Sequence, residues 1–559
     1  MINRIIRRTK RIQDSKRGGP LMKKGDSDIL RFVLLIPGKL NKHLVLYLSN
    51  FAAIPFCFLV MFAVNLAFWF VAGWASGWFD HIETLTYTSL SVGFVTGLAG
   101  VIVYYQDKRP GTFGDSRFAT FQELKEAGLH GSSGIVFGKM KDKLIEKPPS
   151  VDGHVLICGG SGMGKSKSVA IPTLMRWEGA AICVDIKGEL SDVTRSLRPN
   201  GKTYVFNPTL EDCAQYNPIK NVKDAQGAQQ MARVLIPEPQ NTNDPFWNRT
   251  AQGIFAAALL EGYYRGQTLQ QIAHWLMTEK PEDVIKQLTE SVYPNVATLA
   301  GVGNLPEKTL GSVFGELKSH LLMWATDPGV EKSTSRSDWS AETLEEGATI
   351  YLSVPEHLLT QYRPLWTIIF SQVIEHLSQR AEGQNPPILL LLDEFAQLGQ
   401  IPKFNEALAT LRSRNVHIMI FVQSMSQLDE IYGNNGRKII SDNCRYKLIL
   451  GATDVDTQKY FSELSGQKTA QSVSDDFKRD LSQRRYSEQG VPLLRPEEFG
   501  KLKKPILFSF RSYPAEVDQV WYNTDPVLQK LVKGQTKQKT KLFGRRKKEK
   551  KAVGSEFTL

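Results

Sequence analysis

Cysteine is scarce in this chain, five residues among 559, and none sits at a spacing that chelates or cross-links. Cys57, Cys158, Cys183, Cys213 and Cys444 are odd in number and scattered, without C-x-x-C or Cys/His clusters. That excludes a zinc ribbon and a disulfide framework, and it fits a reducing compartment. H-E-x-x-H is missing as well, which removes a membrane-anchored zinc protease. No helix-turn-helix, zinc-finger or RNP signature occurs, so any nucleic-acid binding is expected to be electrostatic and largely non-specific. The remaining absence is regional: no Lys or Arg lies between His43 and Asp107.

That base-free stretch holds two apolar runs, one inside Leu44 to Phe79 and one from Leu85 to Tyr105. At ~1.5 Å per helical residue the second spans about 30 Å, the thickness of a bilayer core, so both are predicted membrane helices. The link carries Asp80 and Glu83 but no base, while Arg4 to Lys42 and Lys108, Arg109 flank the pair. The positive-inside rule then puts both ends in the cytoplasm, with Trp69, Trp74, Trp78 and Phe79 as an interfacial belt. The formal charge of +12 is concentrated in "RIIRRTKRIQDSKR" and "KQKTKLFGRRKKEKK". Two readings stand for these runs: solvated tails, or holders of nucleic acid or anionic membrane lipids.

Beyond the hairpin the pattern alternates. "HVLICGG", "AAICVDIKGE" and "TYVFNP" are short apolar runs separated by helical segments, which indicates an α/β, doubly wound parallel sheet. At Asp244 the sheet pattern breaks into helical segments, and strands resume with "ATIYLSV", "ILLLLDE", "VHIMIFVQ" and "YKLILGA". Continuous apolar runs of this kind suit strands covered on both faces. An all-helical insertion over roughly 262–340 therefore divides one α/β domain.

Residues 159–166, "GGSGMGKS" (Gly159, Gly160, Ser161, Gly162, Met163, Gly164, Lys165, Ser166), satisfy the P-loop pattern between a strand and a helix. Glycines let successive N–H groups turn toward phosphate oxygens, and the following helix offers its positive end. Lys165 is expected to reach the β/γ-phosphates of ATP and Ser166 to ligate Mg2+. "ILLLLDE" supplies the second half: Asp393 ends an apolar strand as a Walker B acid for the Mg2+ shell, and Glu394 is placed to orient and deprotonate the attacking water.

Gln423, closing "VHIMIFVQ", is either a γ-phosphate sensor or a polar strand end. Arg412 and Arg414 in "LRSRN" are either surface residues or, in a ring, candidates to reach a neighbour's nucleotide, an effect worth ~10³ to 10⁵ in rate. "LSGQ" at 464–467 is an incomplete transporter signature lying after the Walker B acid, the wrong order for that role.

The chain resembles the VirD4/TraG family of type IV secretion coupling proteins. "GDSRFAT", "HVLICGGSGMGKSKSVAIPTL", "ICVDIKGEL", "VFNP", "YNPI", "LLLLDEFAQLG", "VQSMSQL" and "VPLLRPEEF" occur in the order such proteins show, covering about 45–525. The resemblance implies an inner-membrane hexameric ATPase with a RecA-like motor and an all-α domain. Such a protein brings relaxase-bound single-stranded DNA or effector proteins to the secretion channel. By motif matching, Lys165, Ser166, Asp393, Glu394 and Gln423 take the family's nucleotide roles, Arg412 the intersubunit finger, and Asp185 a place near the nucleotide. Ser166 departs from the many members with a small or non-hydroxyl residue there, which favours Mg2+ binding.

The expected organisation is a basic cytoplasmic N-terminus (1–43), a transmembrane hairpin (44–105), a RecA-like nucleotide-binding domain (106–261 and 341–530), an all-α domain (262–340) and a basic disordered tail (531–559). The expected function is a membrane-anchored ATPase that couples hydrolysis to delivery of DNA, protein or both into a type IV secretion channel. Its expected partners are a relaxase or effectors, single-stranded DNA, channel components, lipids and other copies of itself in a homo-hexamer. The alternative is an FtsK-like membrane-tethered double-strand DNA translocase, whose terminal winged helix has no room in the basic tail. A non-hydrolysing membrane scaffold is the third reading.

Overall fold

A computed structural model describes residues 112–531 apart from 132, 199–200, 239–244, 384 and 475–484. The expected hairpin, both basic ends and Cys57 lie outside the described residues. Among the described residues no helix is long and apolar enough to cross a membrane, and the four remaining cysteines are free and buried.

The strands are β1 (Ile135–Met140), β2 (Lys143–Lys147), β3 (Val155–Gly159), β4 (Ala180–Val184), β5 (Thr203–Phe206), β6 (Thr349–Leu352), β7 (Ile388–Leu392), β8 (Val416–Val422), β9 (Tyr446–Gly451), β10 (Gln467–Ser474), β11 (Arg485–Pro492), β12 (Ile506–Ser509) and β13 (Ser512–Glu516). Nine form one sheet in the order β13-β12-β9-β3-β8-β7-β4-β6-β5. The seven strands from β9 to β5 pair in parallel. These are the seven apolar runs of the sequence. The sheet is mixed rather than purely parallel, because β12 pairs antiparallel with β9 and β13 with β12. Pro514 in β13 fits an edge, where a missing N–H costs no ladder bond.

Each central strand alternates between two cores. Leu156 and Cys158 of β3, with Leu390 of β7 and Ile420 of β8, belong to one core. Val155 and Ile157, with Leu391 and Phe421, belong to the other. The period of two along strands buried on both faces produces this division.

Between β5 and β6 the regular elements are helical, the longest being Phe246–Tyr264 and Glu307–Thr326. Helix Phe246–Tyr264 is buried along most of its length, including Asn248, Gln252 and Glu261. Those polar groups are satisfied: Asn248 donates to Glu316 Oε1 (2.8 Å), Gln252 to the Ile236 carbonyl (2.7 Å), and Ser291 to Glu261 Oε2 (2.6 Å). This helix runs across the boundary expected between 261 and 262. At Gly262 it packs closely on the next helix, Leu269–Thr278: a Cβ there would stand 2.2 Å from Ile272 Cδ1, so a larger residue must displace that side chain. The helices and one face of the sheet share a continuous core.

Candidate nucleotide site

β3 ends at Gly159, and the chain turns over residues 160–165 into a helix that opens with a π turn, Ser166–Ala170, and continues as Ile171–Arg176. The turn depends on positive φ at Gly162 (+78°) and Gly164 (+87°), which L side chains rarely adopt. β7 lies two strands away from β3, with β8 between them, and Asp393 follows its last residue.

Ser166 Oγ donates to Asp393 Oδ2 at 3.0 Å, joining two motifs 227 residues apart in sequence. Both groups are hard oxygen donors suited to Mg2+. Asp393 is nine-tenths buried. Burial first, then the charge of Glu394, pushes its carboxyl up to about 6, against the opposing pull of Ser166 and Lys165. A buried acid so destabilised in its charged form is a fitting ligand for a divalent cation, which would offset both causes.

Glu394 stands in the left-handed region (φ 47°, ψ 46°). For a residue with a Cβ that conformation costs about 1–2 kcal/mol, a local strain of the kind found at functional sites. Its two carboxylate oxygens are shared out. Lys165 Nζ lies 3.7 Å from Oε1 and also donates to the Gly159 carbonyl at 2.7 Å; Gln423 Nε2 donates to Oε2 at 3.1 Å. Gln423 follows the end of β8, its own N–H taken by Gln427 Oε1 (2.9 Å). Lys165, Ser166, Asp393, Glu394 and Gln423 are thus one connected polar cluster at the carboxyl ends of β3, β7 and β8.

Arg412 and Arg414 lie elsewhere. They occupy the 3-10 turn that precedes β8, at the opposite end of the sheet. Arg412 Nε is 3.8 Å from Asp152 Oδ2. Arg414 donates to the Thr410 carbonyl and pairs with Glu382 at 3.7 Å. Asp185, at the end of β4, accepts N–H bonds from Leu190 (3.0 Å) and Ser191 (2.7 Å), so its carboxylate caps the helix Glu189–Thr194. Burial raises its pKa.

Sequence reasoning assigned nothing to residues 519–522, yet they touch the phosphate turn. Gln519 Nε2 donates to the Met163 carbonyl at 2.9 Å. The backbone N–H of Tyr522 donates to the Lys167 carbonyl at 3.3 Å. Trp521 packs on Gly164, where an added Cβ would stand 2.6 Å from Trp521 Cη2. No local motif signals these contacts, since they join segments more than 350 residues apart.

Comparison with known proteins adds to this geometry. The family model for type IV secretory system conjugative DNA transfer matches residues 117–545. Protein VirD4 of Rhizobium rhizogenes is 28% identical over 509 residues, covering 83% of this chain and 73% of that protein. The conjugal transfer protein TraG of Escherichia coli is 23% identical over 531 residues, covering 81% and 82%. Among solved structures, the plasmid coupling protein TrwB in complex with a non-hydrolysable ATP analogue aligns with TM-score 0.57 at 18% identity, over 74% of this chain and 95% of that one. TrwB with ADP and Mg2+ aligns with TM-score 0.55, also at 18% identity, over 74% and 96%.

Proposed function

The chain belongs to the VirD4/TraG family of type IV secretion coupling proteins, and on that premise we propose that it is an ATPase that drives cargo into a type IV secretion channel. The observation that carries this reading is the 3.0 Å bond between Ser166 and Asp393, which brings the phosphate loop and the acidic strand end to one point. Nucleotides bound by TrwB support the same ligand class here.

In this reading the amides around Gly164 and the Lys165 ammonium hold the triphosphate. Ser166 and Asp393 would hold Mg2+, which when bound neutralises charge on the β- and γ-phosphate oxygens. Glu394 orients the attacking water and takes its proton. Gln423 holds the Glu394 carboxylate in place and is close enough to it to register whether the γ-phosphate is present. Arg412, remote from the phosphate loop of its own chain, serves the site of a neighbouring copy in a hexamer, stabilising charge in the transition state.

The wider assignment goes with it. The base-free hairpin anchors the chain in the inner membrane with the ATPase in the cytoplasm, the helices between β5 and β6 act as the all-α domain, and the cargo is a relaxase carrying single-stranded DNA, or effector proteins. DNA is held through phosphates, so its affinity should fall steeply with salt. The deciding experiment measures ATP turnover and cargo transfer by the full-length chain and by Lys165→Ala. The substitution is expected to abolish both; a variant that keeps both overturns the reading.

A further inference from the structure

The segment after β13 is a strap across the phosphate turn. Asp518 and Lys139 of β1 exchange backbone hydrogen bonds, each 2.8 Å, and Lys139 also pairs with Asp525. Between these two anchors the strap touches the turn at three successive points: Gln519 on Met163, Trp521 on Gly164 and Tyr522 on Lys167. The strap follows β13 in sequence, and β9, β12 and β13 lie on one side of β3 in the sheet. Asp393, Glu394 and Gln423 approach from the other side of β3, at the ends of β7 and β8.

We propose that Trp521 forms a nucleobase subsite, offering its indole to the purine ring of bound ATP. The inference rests on the reading of residues 159–166 as the nucleotide site and extends it from the phosphates to the base. A P-loop fixes the direction of its ligand: the γ-phosphate faces the Walker B acid, and the α-phosphate lies by the first residues of the helix. Here those residues are Ser166 and Lys167, and Lys167 is where the strap is pinned. Ribose and base leave from the α-phosphate, away from Asp393, and so emerge on the strap's side.

Trp521 has the form such a subsite needs. The large tryptophans of the core, Trp177, Trp324 and Trp339, are fully buried, whereas Trp521 keeps 36% of its surface exposed while its six-membered ring rests on Gly164. An indole that rests on glycine through its six-membered ring and stays 36% exposed can stack on a planar ring without loss of core packing. Stacking of a base on an aromatic side chain is sequence-tolerant, so this subsite favours purines by ring size and does not read their exocyclic groups.

The test compares two ligands on the full-length chain: ATP, and inorganic tripolyphosphate, which has the phosphates but no base. Trp521→Ala is expected to raise the Kd for ATP about tenfold and to leave that for tripolyphosphate unchanged. Trp521→Phe is expected to stay within about twofold of the wild type for both, since a phenyl ring also stacks. Unchanged ATP affinity in Trp521→Ala, or an equal loss for both ligands, overturns the proposal, the second because it would mean that Trp521 only shapes the turn. A wild-type chain that binds neither ligand, or a Lys165→Ala chain that binds both normally, overturns instead the nucleotide reading on which the proposal rests.

Discussion

Gln423 Nε2 holds Glu394 Oε2 at 3.1 Å, so the carboxylate assigned to the attacking water is fixed by the side chain that directly follows the neighbouring strand β8. The bond makes β8 a mechanical link between the phosphate loop and Glu394, because β8 also pairs with β3 on one side and β7 on the other.

Glu394→Gln is therefore expected to bind ATP normally and to lose about 10²- to 10⁴-fold in kcat, the usual worth of a positioned general base. Gln423→Ala is expected to lower kcat by about tenfold with KM little changed, since it releases Glu394 without removing it. Gln423→Glu is the sharper variant. It sets a second carboxylate 3.1 Å from the first, and like charges at that distance raise one of the two pKa values. The acidic limb of the kcat profile should move to higher pH; a profile that stays in place would separate Gln423 from the base.

Arg412 lies at the far end of the sheet from the phosphate loop of its own chain, so its contribution is predicted to be made in trans. Arg412→Ala and Glu394→Gln should each be nearly inactive alone. Mixed in equal amounts before assembly, they should recover activity, because an interface that joins Glu394 of an Arg412→Ala copy to Arg412 of a Glu394→Gln copy is intact. Mixtures no more active than the separate variants would rule out the finger.

The parallel sheet and the polar cluster were legible because each depends on local pattern. A run such as "ILLLLDE" announces a strand buried on both faces and the acid at its end, and "GGSGMGKS" needs only its own glycines to make the turn. What was not legible depends on distant partners. β10, "QKTAQSVS", pairs with β11 without an apolar alternation to reveal it. The antiparallel edge strands β12 and β13 are four and five residues long. The meaning of Trp521 is likewise set by Gly164, hundreds of residues earlier.

Gly262 gives a stability prediction that leaves the chemistry alone. Gly262→Leu must force Ile272 aside, and overpacking of a buried helix contact costs about 1–3 kcal/mol. The thermal midpoint should fall, while ATP turnover per folded molecule stays at the wild-type level. A midpoint equal to that of the wild type would mean that the two helices separate freely at this point.

Lys147 supplies a pH dependence of known sign. Its side chain is fully buried, and Nζ lies 2.8 Å from His417 Nδ1. His417 Nε2 is 2.9 Å from Asn415 Oδ1. That amide oxygen can only accept, so Nε2 carries the proton and Nδ1 accepts from Lys147. Burial pushes the Lys147 ammonium down to about 7, with Asp152 opposing weakly, and holds His417 well below its ordinary range. In the unfolded chain Lys147 keeps its proton up to about 10.4. Between pH 7 and that value the unfolded state therefore binds more protons, and stability rises with pH by at most about 1.4 kcal/mol per unit from this group. Below pH 7 the lysine is charged in both states and the full penalty of burying it is present. Lys147→Met, close in length and uncharged, should thus be more stable than the wild type at pH 6.5, with the advantage shrinking steadily toward pH 10. Denaturation midpoints of the two proteins across that range measure the difference directly, and parallel curves would show that Lys147 keeps its charge in the folded core.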